Sequence, residues 1–61
     1  MKRRDLLNEL RKVAKAKGEE LILTEGGNHT RAQIGDWVEP IPRHREISER
    51  LARKILERSK K

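Results

Sequence analysis

The sequence predicts an α+β fold with the element order α-β-β-β-α, in which two helices cover one face of a three-stranded antiparallel sheet. Two observations support this class. Apolar residues recur with helical spacing near both ends of the chain, and three short segments between them are separated by glycine-containing turns. With 61 residues and no repeat or linker, the chain is expected to form a single domain over residues 1–61.

The first helix is predicted over residues 1–17. Its apolar side chains form one stripe of helical period, namely Leu6, Leu7, Leu10, Val13 and Ala14. Gly18 follows, and glycine commonly ends a helix because it adopts the left-handed conformation. The helix should therefore pack its stripe on the sheet and stop at Gly18.

Three strands are predicted over residues 19–25, 29–34 and 37–42, with turns at Gly26-Gly27 and Gly35-Asp36. Glycine permits positive φ, which would allow the chain to reverse sharply at each turn. The third strand contains Pro40 and Pro42 two positions apart, and proline cannot donate to a strand ladder. This strand should therefore lie at the margin of the sheet.

Alternation along the strands predicts which side chains face the helices. In the second strand the core-facing set is Thr30, Ala32 and Ile34, and the solvent-facing set is His29, Arg31 and Gln33. In the third strand, we favour core positions for Trp37 and Ile41. The alternative is that Trp37 stacks on nucleic-acid bases.

The last helix is predicted to begin after Ser48, which is a favourable N-cap, with Ile47 packing against Ala52. Its apolar stripe consists of Leu51, Ala52, Ile55 and Leu56. The resulting order of elements is that of double-stranded RNA-binding domains.

The composition restricts the function classes. Sixteen Lys or Arg against ten Asp or Glu give a net charge of +6, which favours an anionic partner such as nucleic acid or an acidic protein. Trp37 is the only aromatic residue, so stacking on several bases is nearly excluded. The longest apolar run is Leu21–Leu23, which predicts no membrane span and a cytoplasmic protein. The chain lacks cysteine, and its two histidines are too far apart for a metal-ligand motif, so no metal or cofactor is expected.

The segment Gly26-Gly27-Asn28-His29-Thr30 is the strongest candidate for chemistry. A glycine turn leaves open space, and a histidine beside it would be exposed and fixed in direction. Histidine is the side chain whose ordinary pKa, about 6.5, suits general acid–base catalysis near neutral pH. The alternative is an exposed turn histidine without function.

Three motifs together resemble the HicA family of bacterial toxins, the mRNA interferases of HicAB toxin–antitoxin pairs. They are Lys2–Leu7, Glu25–His29 and Ile41–Ile47, followed by a helix that carries Leu51 and Ile55. The resemblance runs nearly end to end. It implies the fold predicted above, an endoribonuclease that needs no metal, and an antitoxin partner of the HicB type.

The resemblance also implies that His29 is the catalytic residue. Two departures are evident: Asn28 stands where many members have Ser, and Arg31-Ala32 stand where many have an aromatic residue. The second affects the expected RNA preference more than the chemistry.

From these residues we expect His29 to transfer protons during cleavage of RNA by its own 2′-hydroxyl. The other predicted site residues bind or approach the RNA phosphates, namely Gly26, Gly27, Asn28, Arg31, Arg43 and Arg45. Asn28 can also orient the histidine. We favour a structural role for His44, with a second proton donor as the alternative.

Two other functions remain open at this stage. A non-catalytic double-stranded RNA-binding module would use the basic residues around the last helix, namely Arg45, Arg50, Arg53 and Lys54. A small basic interaction domain would bind only an acidic protein. The RNA-binding module gives no reason for the Gly26–His29 motif.

Overall fold

One helix precedes and one follows a meander of three strands in a computed structural model that describes all 61 residues. The elements are α1 Arg3–Ala16, β1 Ile22–Glu25, β2 Thr30–Ile34, β3 Trp37–Ile41 and α2 Glu49–Ser59. The predicted α-β-β-β-α fold class is confirmed. The strand order is β1-β2-β3, and both pairings are antiparallel.

The β2 strand occupies the centre of the sheet. Its first residue, Thr30, lies opposite Glu25 of β1 and Ile41 of β3. Its next residue, Arg31, lies opposite Pro40, so the proline stands on an edge strand as predicted. One end of the sheet therefore carries the loop of residues 26–29, hereafter the hairpin loop.

The strand β1 begins at Ile22 rather than at the predicted Glu19 because the preceding residues complete the end of α1. Gly18 has φ +70, its N–H donates to the Lys15 carbonyl at 3.1 Å, and the Glu19 N–H donates to the Ala14 carbonyl at 2.8 Å. These are the two hydrogen bonds of a Schellman motif. The prediction that Gly18 ends the helix is confirmed.

The core lies between the helices and one face of the sheet. Its buried apolar residues are Leu6, Leu7, Leu10, Ala14, Ala32, Ile34, Ile41, Ile47, Ala52 and Ile55. Thr30 is also fully buried, which confirms the predicted inward face of β2. Ile41 is fully buried, which confirms its predicted core position, whereas Trp37 is half-buried and packs against the edge of this core.

The packed stripe of α2 differs from the predicted one. Leu51 is exposed, whereas Ser59 is completely buried together with Ala52 and Ile55. A residue one position before Ala52 is rotated about 100° around the helix, which carries Leu51 to the rim. Ser59 tolerates burial because its hydroxyl donates to the Leu56 carbonyl at 2.7 Å.

The start of α2 agrees with the prediction. The Ser48 hydroxyl accepts a hydrogen bond from the Leu51 N–H at 3.2 Å, and Ile47 is buried in the same cluster as Ala52. No helix in this protein has the length and apolar character needed to cross a membrane.

The second face of the sheet is left uncovered. Ile22 retains 51% of its accessible surface and Val38 retains 40%. Both lie opposite Gln33 on the two sides of β2, and Arg31 lies two residues further along. This open face, defined by Ile22, Arg31, Gln33 and Val38, is a mixed apolar and basic surface.

Candidate active site

The hairpin loop projects from the end of the sheet and carries His29 as its last residue. The Gly26 N–H donates to the His29 carbonyl at 2.9 Å, which extends the β1–β2 ladder by one pair. The His29 side chain is exposed. Because side chains alternate along a strand, His29 follows the side of Arg31, the open face, rather than the buried side of Thr30.

The loop reverses the chain without positive φ at its glycines. Positive φ occurs at Gly18 and Gly35 and at neither Gly26 nor Gly27. The hydrogen bond from Gly26 to His29 leaves only two residues between the paired positions, so the predicted tight turn is confirmed. The positive φ that glycine permits occurs instead at Gly35, in the two-residue turn Gly35-Asp36.

The open space predicted above the loop is present. A Cβ atom added at Gly27 would meet no heavy atom within 4 Å, and one added at Gly26 would lie 3.3 Å from the His29 carbonyl oxygen. The N–H groups of Gly27, Asn28 and His29 donate to no acceptor within the protein. Successive free backbone N–H groups are a common way to bind an anion.

Arg43 holds the hairpin loop in place. Its Nη1 atom donates to the Gly27 carbonyl at 3.3 Å, and its Nη2 atom donates to the carbonyls of Gly26 and, at 3.2 Å, His29. Its Nε atom donates to Glu25 Oε1 at 3.1 Å. We call this set of contacts the loop clamp. The guanidinium predicted to bind RNA phosphate is instead occupied by the loop that carries His29.

A second set of contacts fixes the residue after His29. The buried Thr30 hydroxyl donates to Glu25 Oε1 at 2.8 Å and accepts from Arg3 Nη2 at 2.7 Å. Arg3 Nε also donates to the Pro42 carbonyl at 3.0 Å. The chain is thus anchored at the His29 carbonyl and at the Thr30 side chain. This arrangement limits movement of the His29 backbone while its ring stays exposed.

The structure brings only part of the predicted site together. Gly26, Gly27, Asn28 and His29 share the hairpin loop, and Arg43 contacts it. Arg31 is exposed on β2 and has no hydrogen-bond partner, so its guanidinium is free for a ligand on the open face. Arg45 forms no hydrogen bond with the loop and lines a cleft with Lys2, Arg3 and Arg4.

His44 has no contact that would support the predicted structural role. Its side chain is exposed and takes part in no hydrogen bond or ion pair. The site residues that sequence reasoning missed are Arg3, Glu25 and Thr30. A threonine at a core-facing strand position was the available signal, because a buried hydroxyl requires partners.

The assembled site offers the exposed imidazole of His29, the free backbone N–H groups of residues 27–29 and the free guanidinium of Arg31, two positions further along the chain. Such a set can exchange protons with a bound ligand and hold a negatively charged group. The chemistry fits a ligand that carries a negatively charged group.

Comparisons with known proteins add no relative to this description. No family model matches the chain, and neither the curated proteins nor the solved structures contain a significant match. The resemblance to HicA toxins rests on the three sequence motifs.

Proposed function

We propose that this protein is a metal-independent endoribonuclease that cleaves mRNA, acting as the toxin of a bacterial toxin–antitoxin pair of the HicAB kind. The observation that carries the proposal is the exposed His29 beside the unobstructed Gly27, on a loop fixed by Arg43. Arg43 restricts the backbone that carries His29, and a fixed position is what a proton-transfer group requires.

The reaction follows from the chemistry of RNA, which supplies its own nucleophile. The 2′-oxygen attacks the adjacent phosphorus, and the bond from phosphorus to the 5′-oxygen breaks. His29 accepts the proton of the 2′-hydroxyl, and the departing 5′-oxygen gains a proton from His29 or from water. The products are a 2′,3′-cyclic phosphate and a 5′-hydroxyl.

The remaining site residues stabilise charge on the phosphate. The N–H groups of Gly27 and Asn28 are free to donate to a non-bridging oxygen, and the absence of a side chain at Gly27 allows close approach. Arg31 offers a planar pair of donors on the same face of the sheet. Asn28 contributes its backbone N–H and a short amide side chain, one position before His29 in the chain.

The proposal is tested with a purified protein and two RNA oligonucleotides that differ at one position. The first is all-ribose, and cleavage at one linkage is located by mass spectrometry. The second carries a 2′-deoxyribose at that nucleotide. We expect cleavage of the first, with a cyclic phosphate terminus, and an intact linkage in the second. Equal cleavage of both oligonucleotides would contradict the proposed nucleophile.

The open face and the net charge of +6 favour an acidic partner protein. We propose a HicB-like antitoxin that covers this face and blocks access to His29, in the cytoplasm where mRNA is translated. Opposite charge on the two partners would speed their association. Co-expression with a gene beside this one should give a stable complex, and the wild-type chain expressed alone should arrest growth.

A double-stranded RNA-binding module remains the second candidate because of one observation on α2. Arg50, Arg53 and Lys54 are exposed, and none of them forms an ion pair. Such a module would bind duplex RNA and leave it intact. Tight binding without cleavage of any RNA, single-stranded or duplex, would favour this alternative.

A further inference from the structure

A cleft at the N-terminal end of α1 is lined by four cationic side chains and nothing else. They belong to Lys2, Arg3, Arg4 and Arg45, and we call this the basic cleft. No acidic or apolar residue lines it. The backbone holds its two sides together, since the Arg3 N–H donates to the Arg45 carbonyl at 2.9 Å.

Three of these four charges are uncompensated. The side chains of Lys2, Arg4 and Arg45 form no hydrogen bond and no ion pair, and all three are exposed. Two acidic residues that follow Arg45 in the chain, Glu46 and Glu49, face the terminal ammonium group of Met1 instead, at 3.8 and 3.0 Å. Like charges gathered in one concavity repel each other and raise the local concentration of anions.

The basic cleft and the hairpin loop lie at the same end of the sheet. Arg3 lines the cleft, and its Nη2 atom also donates to Thr30 Oγ1 at 2.7 Å. Thr30 follows His29 directly in the chain, with its side chain on the core side of the sheet and His29 on the side of the open face. A strand of RNA that passes over this end of the sheet, with one phosphate at His29, therefore has a second cationic site available on the other side.

We infer that the basic cleft binds a backbone phosphate of the RNA that flanks the linkage cleaved at His29. The inference rests on the proposed function for the identity of the ligand. Lys2, Arg4 and Arg45 supply the charge, with the two arginines able to donate in a bidentate manner. Arg3 closes the cleft on the side of Thr30. Binding energy at this phosphate holds the strand in register with His29.

The test measures RNA binding by a His29→Ala protein, which leaves the RNA intact. Arg4→Gln and Arg45→Gln are each added to this background, with Lys15→Gln as the matched control. Lys15 is also an exposed, unpaired cation of α1, but it lies outside the cleft. We expect each cleft variant to weaken binding about 5- to 10-fold at low salt. The slope of log affinity against log salt should fall by about 0.7 for each lost phosphate contact. Lys15→Gln should change neither.

A second arm identifies the ligand as an RNA phosphate. One flanking linkage at a time is replaced by an uncharged methylphosphonate. At one position the replacement should weaken RNA binding by the His29→Ala protein that retains Arg45. The same replacement should cause no further loss of affinity in the protein that also carries Arg45→Gln. If replacement at every position weakened RNA binding equally in both proteins, the inference would be overturned. It would also be overturned if an acidic peptide displaced the bound RNA as well as unlabelled RNA does.

The outcomes separate this inference from the proposed function. If the wild type cleaves RNA but Arg4→Gln and Arg45→Gln bind like Lys15→Gln, the inference fails and the function stands. If no RNA is cleaved but the methylphosphonate effect depends on Arg45, the phosphate site stands and the nuclease proposal fails.

Discussion

The guanidinium of Arg43 and the carboxylate of Glu25 meet with both Nε and Nη2 3.1 Å from Oε1, at the base of the hairpin loop. Glu25 ends β1, and Arg43 follows β3, so the pair closes the sheet at the end where His29 lies. The side chains keep 40% and 62% of their accessible surface. An ion pair this exposed stabilises a fold by about 1 kcal/mol or less. Arg43 should therefore contribute little to the stability of the whole fold and act mainly by fixing the position of the hairpin loop.

Replacing Arg43 by alanine should lower the cleavage rate at saturating RNA about 10-fold or more, because His29 then loses its fixed position. The melting temperature should change by only a few degrees. Arg43→Lys should be nearly as slow, since one ammonium group cannot reach Glu25 and three carbonyl groups together. Single-turnover rates and thermal melts measure both quantities.

The same variants distinguish a loop clamp from an RNA contact. Loss of a phosphate contact would weaken binding and reduce its salt dependence while the saturated rate stayed unchanged. That result would support the role predicted from the sequence, in which Arg43 binds an RNA phosphate.

His29→Ala should abolish cleavage and growth arrest, with a loss of about a hundredfold to ten-thousandfold, the usual effect of removing a proton-transfer group. Its side chain is exposed, so the free energy of unfolding should change by about 0.5 kcal/mol or less. Cleavage assays and circular dichroism melts on one purified sample give both numbers. A folded variant that still degraded mRNA would exclude His29 from the mechanism.

His44→Ala is the matched histidine control. Since His44 is exposed and without partners, the substitution should leave the melting temperature unchanged. This expectation replaces the structural role predicted from sequence. A fall in cleavage without any change in stability would identify His44 as the second proton donor.

Gly27 and Gly35 should respond to alanine in opposite ways. At Gly27 φ is not positive and a Cβ meets open space, so Gly27→Ala should leave the stability unchanged or raise it by about 0.4–1 kcal/mol. At Gly35, φ is +56, a conformation that residues with a side chain rarely adopt, so Gly35→Ala should destabilise the fold by roughly 1 kcal/mol or more. Urea denaturation of the two variants compares them directly.

The cleavage rate of Gly27→Ala tests whether the open space above this residue is used. If phosphate approaches the loop at Gly27, Gly27→Ala should reduce cleavage although the protein is at least as stable. Full activity of that variant would show that the space above Gly27 is not used.

Thr30→Val should destabilise the protein by about 1–3 kcal/mol, although the two side chains have nearly the same shape. The substitution leaves Arg3 Nη2 and Glu25 Oε1 without the hydroxyl that joins them in the structure. Thr30→Ser keeps the hydroxyl and serves as the control. Equal melting temperatures for wild type and Thr30→Val would mean that water replaces the hydroxyl without loss.

The helices, the strands and the buried side of each could be predicted from the sequence because they depend on residues close together in the chain. The period of apolar residues located both helices, Ser48 and Gly18 marked an N-cap and a helix end, and alternation placed Thr30 inward. The stripe of α2 was misplaced at Leu51, since several adjacent apolar residues fit more than one helical face.

The details of the candidate site were less accessible because they depend on contacts distant in sequence. Arg43 reaches Glu25 only after both hairpins have closed, and no local pattern encodes that distance. The backbone angles at Gly26 and Gly27 could not be predicted, because glycine tolerates most backbone angles and does not itself select one. Arg45 is predicted to bind RNA phosphate, but its position could not be predicted, because its backbone pairs with that of Arg3, 42 residues away, and so places it in the basic cleft.

Trp37 gives the protein a built-in spectroscopic reporter. It is the only tryptophan, and the chain has no tyrosine, so the intrinsic fluorescence arises from one ring. Its Nε1 atom donates to Glu39 Oε1 at 3.2 Å, and Arg58 of α2 donates to the same oxygen at 2.6 Å. The emission maximum should therefore follow the docking of α2 on the sheet. Trp37 starts β3, whereas the hairpin loop adjoins the other end of that strand, roughly 13 Å away. Unfolding of every loop variant can thus be followed optically without a label, and RNA bound at the loop should leave the signal unchanged.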